Sequence, residues 1–155
     1  MEKGFLKIPK PLRAALFHIL QWTWGLPQNL VGALLLPILR GERYRFHGAV
    51  VTVYNNVRFL SNRDGFSLGS FIFIPRGWSE YDREHLRVHE YGHSVQSLIL
   101  GPLYLPAVAL PSVIWVRVYA KRRAVYRSRA VEYTDRFPEN WADRLGEYAT
   151  GERPY

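Results

Sequence analysis

The sequence predicts an α+β fold, and three observations carry that prediction. Residues 44–54 and 67–74 are rich in β-branched and aromatic side chains and are bounded by turn residues, as strands are. From Tyr81 to Leu100 the pattern is that of a long helix opened by a capping residue. Ahead of both, residues 14–39 hold no charged side chain and are interrupted only by Pro27-Gln28-Asn29, which reads as a pair of apolar helices. With 155 residues, 48% apolar and 15% aromatic, the chain is expected to be a single domain with a real core, not a disordered segment.

Taken in order, Met1 to Arg13 is basic (Lys3, Lys7, Lys10, Arg13) and broken by Pro9 and Pro11. The uncharged run 14–39 is too long for a secretory signal and lacks its small-residue cleavage site. Helices are expected at 12–26 and 28–39, with Pro27 at or near the start of the second. Trp22 and Trp24 lie at the break, and tryptophan favours the membrane–water boundary. The competing expectation is that both helices cover the sheet as core elements.

Arg40 to Arg45 is a charged connection, and Tyr44 to Tyr54 is one bent strand or a short hairpin about His47-Gly48. A polar stretch follows, ending in the turn signal Asn62-Arg63-Asp64-Gly65. Ser67 to Ile74 is the best strand, closed by Pro75-Arg76-Gly77, so two or three strands precede the long helix. Ser79 is its expected N-cap, with Glu80, Asp82 and Glu84 favouring the helix dipole.

Residues 94–116 form a second uncharged run, but Gly101, Pro102, Pro106 and Pro111 argue against a straight spanning helix. A bent, buried or re-entrant segment fits. Arg117, Lys121, Arg122, Arg123, Arg127 and Arg129 follow, with no acid until Glu132. The expected organisation is therefore apolar N-terminal helices (1–39), strands (44–74) and the helices of a site (79–146), the last containing the proline-rich segment 94–116.

The net charge of +8 is uneven: +5 over residues 1–50, balanced over 51–100, +3 over 101–155. A basic chain is drawn to phosphate, on nucleic acid or on lipid. No nucleic-acid module is recognisable, and nucleic acid would leave the apolar neighbours of the cluster at 117–129 unexplained. An apolar segment followed by basic residues is the pattern of attachment to an anionic membrane surface. The bland alternative is a solvated basic face. There is no cysteine, so no disulfide and no thiolate metal site; this fits a reducing compartment, cytoplasmic or at its membrane.

Chemistry concentrates at His89-Glu90-Tyr91-Gly92-His93, an HExxH pattern. Histidines four apart share one helix face, so their imidazoles can converge on one ion. Zinc accepts such nitrogens and takes three protein ligands in a catalytic site. Glu90 then stands beside the open position as a general base. Gly92 costs its helix roughly 1 kcal/mol against alanine, which makes sense if something packs tightly on that turn. Within Thr134 to Gly146 a last helix is expected, with Pro138 suiting its first turn. On it Glu139 and Asp143 share a face. Glu139 completes the zinc shell, and Asp143 accepts the other ring N–H of a ligating histidine. Glu132 and Asp135 compete as third ligand, but Arg136 stands four residues after Glu132 where an acid is wanted. The plainer alternatives are a surface helix with two solvated histidines and an amphipathic helix with two surface acids. His18 and His47 lack a partner motif and are expected to be structural.

With both motifs in view, the chain resembles the gluzincin branch of zinc metallopeptidases, which includes thermolysin-like and CAAX-prenyl-protease-like enzymes. Those use HExxH on one helix and ExxxD or ExxAD on a later one. Here the matches are His89, Glu90 and His93, then Glu139, Ala142 and Asp143. Stretches 69–74, 89–105 and 141–146 are also similar to a set of short bacterial proteins carrying HEYGH. The resemblance implies a zincin-like fold, zinc on His89, His93 and Glu139, Glu90 as base, and a peptide or protein substrate held along a sheet edge, for which 68–74 is the candidate. It also implies an oxyanion donor, for which Tyr91, His85, Tyr133 and Tyr148 stand open. The expected activity is zinc-dependent peptide hydrolysis at a membrane surface. Because the chain is short for a deep substrate cleft, the alternative is a membrane-associated zinc-binding protein with a structural or scaffold role.

Overall fold

The structure, a computed structural model, describes residues 9–55 and 65–154. Most of the turn signal at 62–65 therefore lies outside the described residues. Two short helices open the chain. α1 (Lys10–Thr23) and α2 (Leu26–Leu35) each carry a proline in the first turn, where the missing N–H has no helical partner to lose. Both stop earlier than the 26 and 39 expected, and residues 36–38 form a turn instead.

β1 (Gly41–Phe46) and β2 (Ala49–Tyr54) pair antiparallel, with Phe46 opposite Ala49. Between them His47 and Gly48 both take positive φ, 48° and 99°. That is the two-residue turn whose twist suits a hairpin, so the hairpin and not the bent strand forms. It begins at Gly41, ahead of the expected Tyr44.

The single strand expected over 67–74 is corrected. It is a second hairpin, β3 (Phe66–Leu68) and β4 (Phe71–Pro75), turning at Gly69-Ser70. Gly69 has φ 62°, and α2 holds the turn through Asn29, whose Oδ1 accepts the Ser70 N–H at 2.7 Å. β4 also pairs parallel with β2, so the sheet order is β1-β2-β4-β3. Among the described residues four strands precede the long helix, and β4 is interior. The expectation that 68–74 forms a free edge fails for residues 71–74; among the described strands β1 and β3 are at the edges.

Side chains alternate between the two sheet faces. Val51, Ile72 and Ile74 face a core built with Phe17, Leu86, Val88 and Tyr91. Tyr54, Phe71 and Phe73 face Leu39 and the α2 side. Burial on both faces explains why β4 reads as an unbroken apolar run.

The first of these faces carries α3 (Glu80–Leu100), capped by Ser79, whose Oγ accepts the Asp82 N–H at 3.1 Å. Beyond it come a 3-10 turn (Gly101–Leu103), a π turn (Leu105–Ala109), α4 (Leu110–Lys121) and α5 (Arg123–Ser128). Pro102, Pro106 and Pro111 each stand at the start of one of these pieces, so 94–116 remains helical while being broken into segments. Among the described residues no helix is long and apolar enough to cross a membrane. The last helix, α6 (Glu139–Thr150), starts at the expected proline and ends later than expected. Pro138 is its N-cap, and residues 133–135 form a separate 3-10 turn. The architecture is α+β.

Candidate metal centre

α3 and α6 cross antiparallel at a separation set by glycine. A Cβ at Gly92 would run into the Ala142 backbone, and one at Gly146 into the Val88 carbonyl. The tight packing expected at Gly92 is therefore α6 itself. The same crossing aligns the polar pairs in step with the small ones, His89 with Asp143 and His93 with Glu139.

Each imidazole is held from behind. His89 Nδ1 lies 2.6 Å from Asp143 Oδ1, and His93 Nδ1 lies 2.7 Å from Gln96 Oε1. With Nδ1–H donated outward in both rings, both Nε2 atoms turn inward. They meet Glu139 Oε2, at 3.1 Å from His89 and 3.4 Å from His93. The rings are close to perpendicular, with centroids 4.9 Å apart.

These donors fit a divalent ion. One ligand atom from each of His89, His93 and Glu139 lies within 4.8 Å of the others. Tetrahedral zinc with bonds of about 2.0–2.1 Å separates its ligand atoms by about 3.3 Å, close to the two nitrogen–oxygen distances here. Glu139 is fully buried, and its Oε1 is without a hydrogen-bond partner, which a cation would satisfy.

The same groups share protons, and a bound cation would displace the one on His89 Nε2. Burial alone would lower the His89 imidazole; its hydrogen bonds to Asp143 and Glu139 outweigh that and push it up to about 10. Burial would raise the Glu139 carboxyl; hydrogen bonds from His89 and His93 outweigh that and hold it well below the usual carboxylate range. The negative charge of Glu139 is thus kept at the point where the histidines converge.

Glu90 is 3% exposed and near enough to His89, Tyr104 and Tyr133 for its charge to act on each. Gly65 lies against it: a Cβ there would stand 3.0 Å from Glu90 Oε1 and 2.9 Å from Leu86 Cδ2.

The competing acids are placed elsewhere. Glu132 and Asp135 are exposed and cap the 3-10 turn between them. Of the four oxyanion candidates, Tyr133 lies closest in electrostatic terms; burial, then the charge of Glu139, holds its phenol far above the ordinary range. Tyr91 points to the core instead, stacking on Phe17 and donating to the His47 carbonyl. His85 reaches back to the Tyr81 carbonyl, and Tyr148 is exposed. His18 and His47 sit where α1 meets the first hairpin.

Two residues were missed from the sequence. Gln96 serves His93 as Asp143 serves His89, and its Nε2 donates at 3.0 Å to the Pro138 carbonyl, next to Glu139. Its place three residues after His93, on the same helix face, was the available signal. Tyr104 is the other. Its hydroxyl donates to the Ser67 carbonyl at 3.3 Å, so part of the β3 edge is already engaged. Burial, then the charge of Glu90, keeps this phenol protonated.

Compared with known proteins, the chain matches no family model, no curated protein and no solved structure.

Proposed function

We propose that the chain is a zinc-dependent hydrolase of the zincin type, and within that class a metallopeptidase. The observation that carries the reading is the α3–α6 crossing. It brings donors about fifty residues apart onto one point, each imidazole is oriented from behind, and a buried glutamate stands beside them. His89, His93 and Glu139 would hold the ion. Zinc, when bound, supplies Lewis acidity that activates water and polarises a peptide carbonyl. Glu90 takes the proton of the attacking water and passes it to the leaving amine. Asp143 and Gln96 fix the tautomers. Tyr133, held neutral beside Glu139, is the hydroxyl donor for a developing oxyanion, since the Tyr104 hydroxyl is already given to Ser67.

A second reading rests on burial. His89, Glu90, His93 and Glu139 are each 5% exposed or less, and Tyr104 already occupies Ser67 on the edge strand. A zinc-binding protein with a structural or scaffold role would show this closure. Metal content per chain, followed by cleavage of a broad peptide library by wild type and Glu90→Gln, separates the two. The peptidase reading expects about one zinc in both proteins and cleavage only by wild type. Bound zinc with no cleavage by either supports the scaffold. No metal in a folded chain supplied with zinc at neutral pH sinks both.

A further inference from the structure

α1 and α2 invert the usual distribution of a surface helix. Their buried positions include Gln21, Gln28 and Asn29, each 0% exposed. Their outer positions include Leu12, Ile19, Leu20, Trp24, Leu30 and Leu34, between 46% and 70% exposed. A helix facing water does the reverse.

The inward amides form a hydrogen-bonded spine with the C-terminal half of α3. Gln21 Nε2 donates to the Ser94 carbonyl at 2.9 Å, and Ser97 Oγ donates to Gln21 Oε1 at 3.0 Å. Gln28 Nε2 donates to Ser97 Oγ at 2.8 Å and to the Gly101 carbonyl at 3.0 Å. The apolar surface does not stop at α2. Trp24 lies directly over Gly101, where a Cβ would strike its ring, and Leu103 beside it is 64% exposed. Along α4 the face continues through Leu110 and Ile114, then becomes Arg117 and Lys121, all exposed.

Charge identifies what covers this face. It is drawn from residues 9–41 and 91–131, which contain none of the 13 acidic residues and nine of the 21 basic ones. We propose that this face docks in the interfacial layer of an anionic lipid bilayer, with the α1–α2 pair lying in the membrane plane and the arginines of α4 and α5 on the headgroups. Lying fits the dimensions: the two helices are about 21 Å and about 15 Å long, against about 30 Å of hydrocarbon. Polar groups entering an apolar layer must be satisfied within the protein; the spine does this for Gln21 and for the Gln28 amide N–H groups, while Gln28 Oε1 and Asn29 Nδ2 have no hydrogen-bond partner among the described residues. A second copy of the chain is a poorer occupant, because basic residues with no acid among them would meet their like. The proposal does not rest on the metal centre.

The test is flotation of the full chain with vesicles of phosphatidylcholine alone, or mixed equally with phosphatidylglycerol. Wild type is expected to float with the mixed vesicles and to float less at high salt. Ile19→Glu, Leu34→Glu and Ile114→Glu, all at solvent-facing positions, are each expected to weaken binding roughly tenfold or more while melting as wild type does. Replacing Arg122, Arg123 and Arg127 by glutamine is expected to erase the preference for the anionic vesicles. Absence of flotation, or flotation unchanged in the glutamate variants, overturns the proposal. So does a lipid-free dimer that Leu34→Glu dissolves, which would give the face to a second copy.

Discussion

Besides the sheet, α3 packs against α6 on one side and the α1–α2 pair on another, and it buries polar groups against both. Toward α6 the groups are ionisable: the buried His89, His93 and Glu139, with the half-buried Asp143 behind them, brought together by glycine contacts. Toward α1 and α2 they are neutral amides and hydroxyls, strung along the helix. Burying an ionisable cluster is costly unless the charges are paired or held by an ion. Burying amides is affordable wherever each finds a partner. The first interface therefore specifies a binding point, while the second leaves the apolar sides of its helices facing out. Polar burial alone does not mark a site; convergence does.

The largest effect expected from breaking this contrast is at Gly92. Gly92→Ala puts a methyl into the Ala142 backbone, where neither helix can yield cheaply. A loss of about 3 kcal/mol in denaturant unfolding is expected, with loss of bound metal. A variant as stable as wild type would show that the crossing does not depend on glycine.

The supports of the two histidines come next. Asp143→Ala and Gln96→Leu are each expected to weaken zinc about 10- to 100-fold in competition with a chelating dye. Gln21→Leu, on the other side of α3, is expected to leave zinc affinity as it is. Equal effects from all three would erase the distinction between the interfaces.

Gly65→Ala should separate binding from chemistry. The added methyl presses on Glu90 Oε1 and not on a ligand. Zinc content is expected to stay at about one per chain while kcat falls about tenfold or more. Unaltered turnover would detach Glu90 from the reaction.

The smallest effects are expected on the amide side. Gln28→Leu strands the Gly101 carbonyl and removes a donor to Ser97, for about 1–3 kcal/mol of stability and no change in metal. Leu34→Ser, on the outer face, is expected to shift stability in lipid-free buffer by no more than about 0.5 kcal/mol.

What the sequence reveals follows the range of the forces involved. Ser79 as cap, His89 and His93 on one face and the close approach at Gly92 are features of one helix, and all were legible. Glu139 was legible because its spacing to Asp143 repeats the spacing of the histidines it meets. The break at Gly69-Ser70 was not, because glycine and serine inside an apolar run read equally as a bulge. Nor was the interior place of β4, since strand order is set by pairings distant in sequence. Gln28 and Asn29 looked like an interruption between apolar helices; only their partners, Ser97 and the Gly101 carbonyl for Gln28 and the Ser70 N–H for Asn29, show that they face inward.

α3 runs unbroken from Glu80 to Leu100. His93 therefore stands a fixed span from Gly101, about 12 Å along the axis at ~1.5 Å per residue. No hinge lies between the donors and the Trp24 contact. The helix is a ruler with the two histidines near its middle and the apolar surface at its C-terminal end. For a protein seated on a bilayer by that surface, reach becomes a selection rule. A bond in a client chain would be chosen first by its distance from the lipid and only then by the side chains around it.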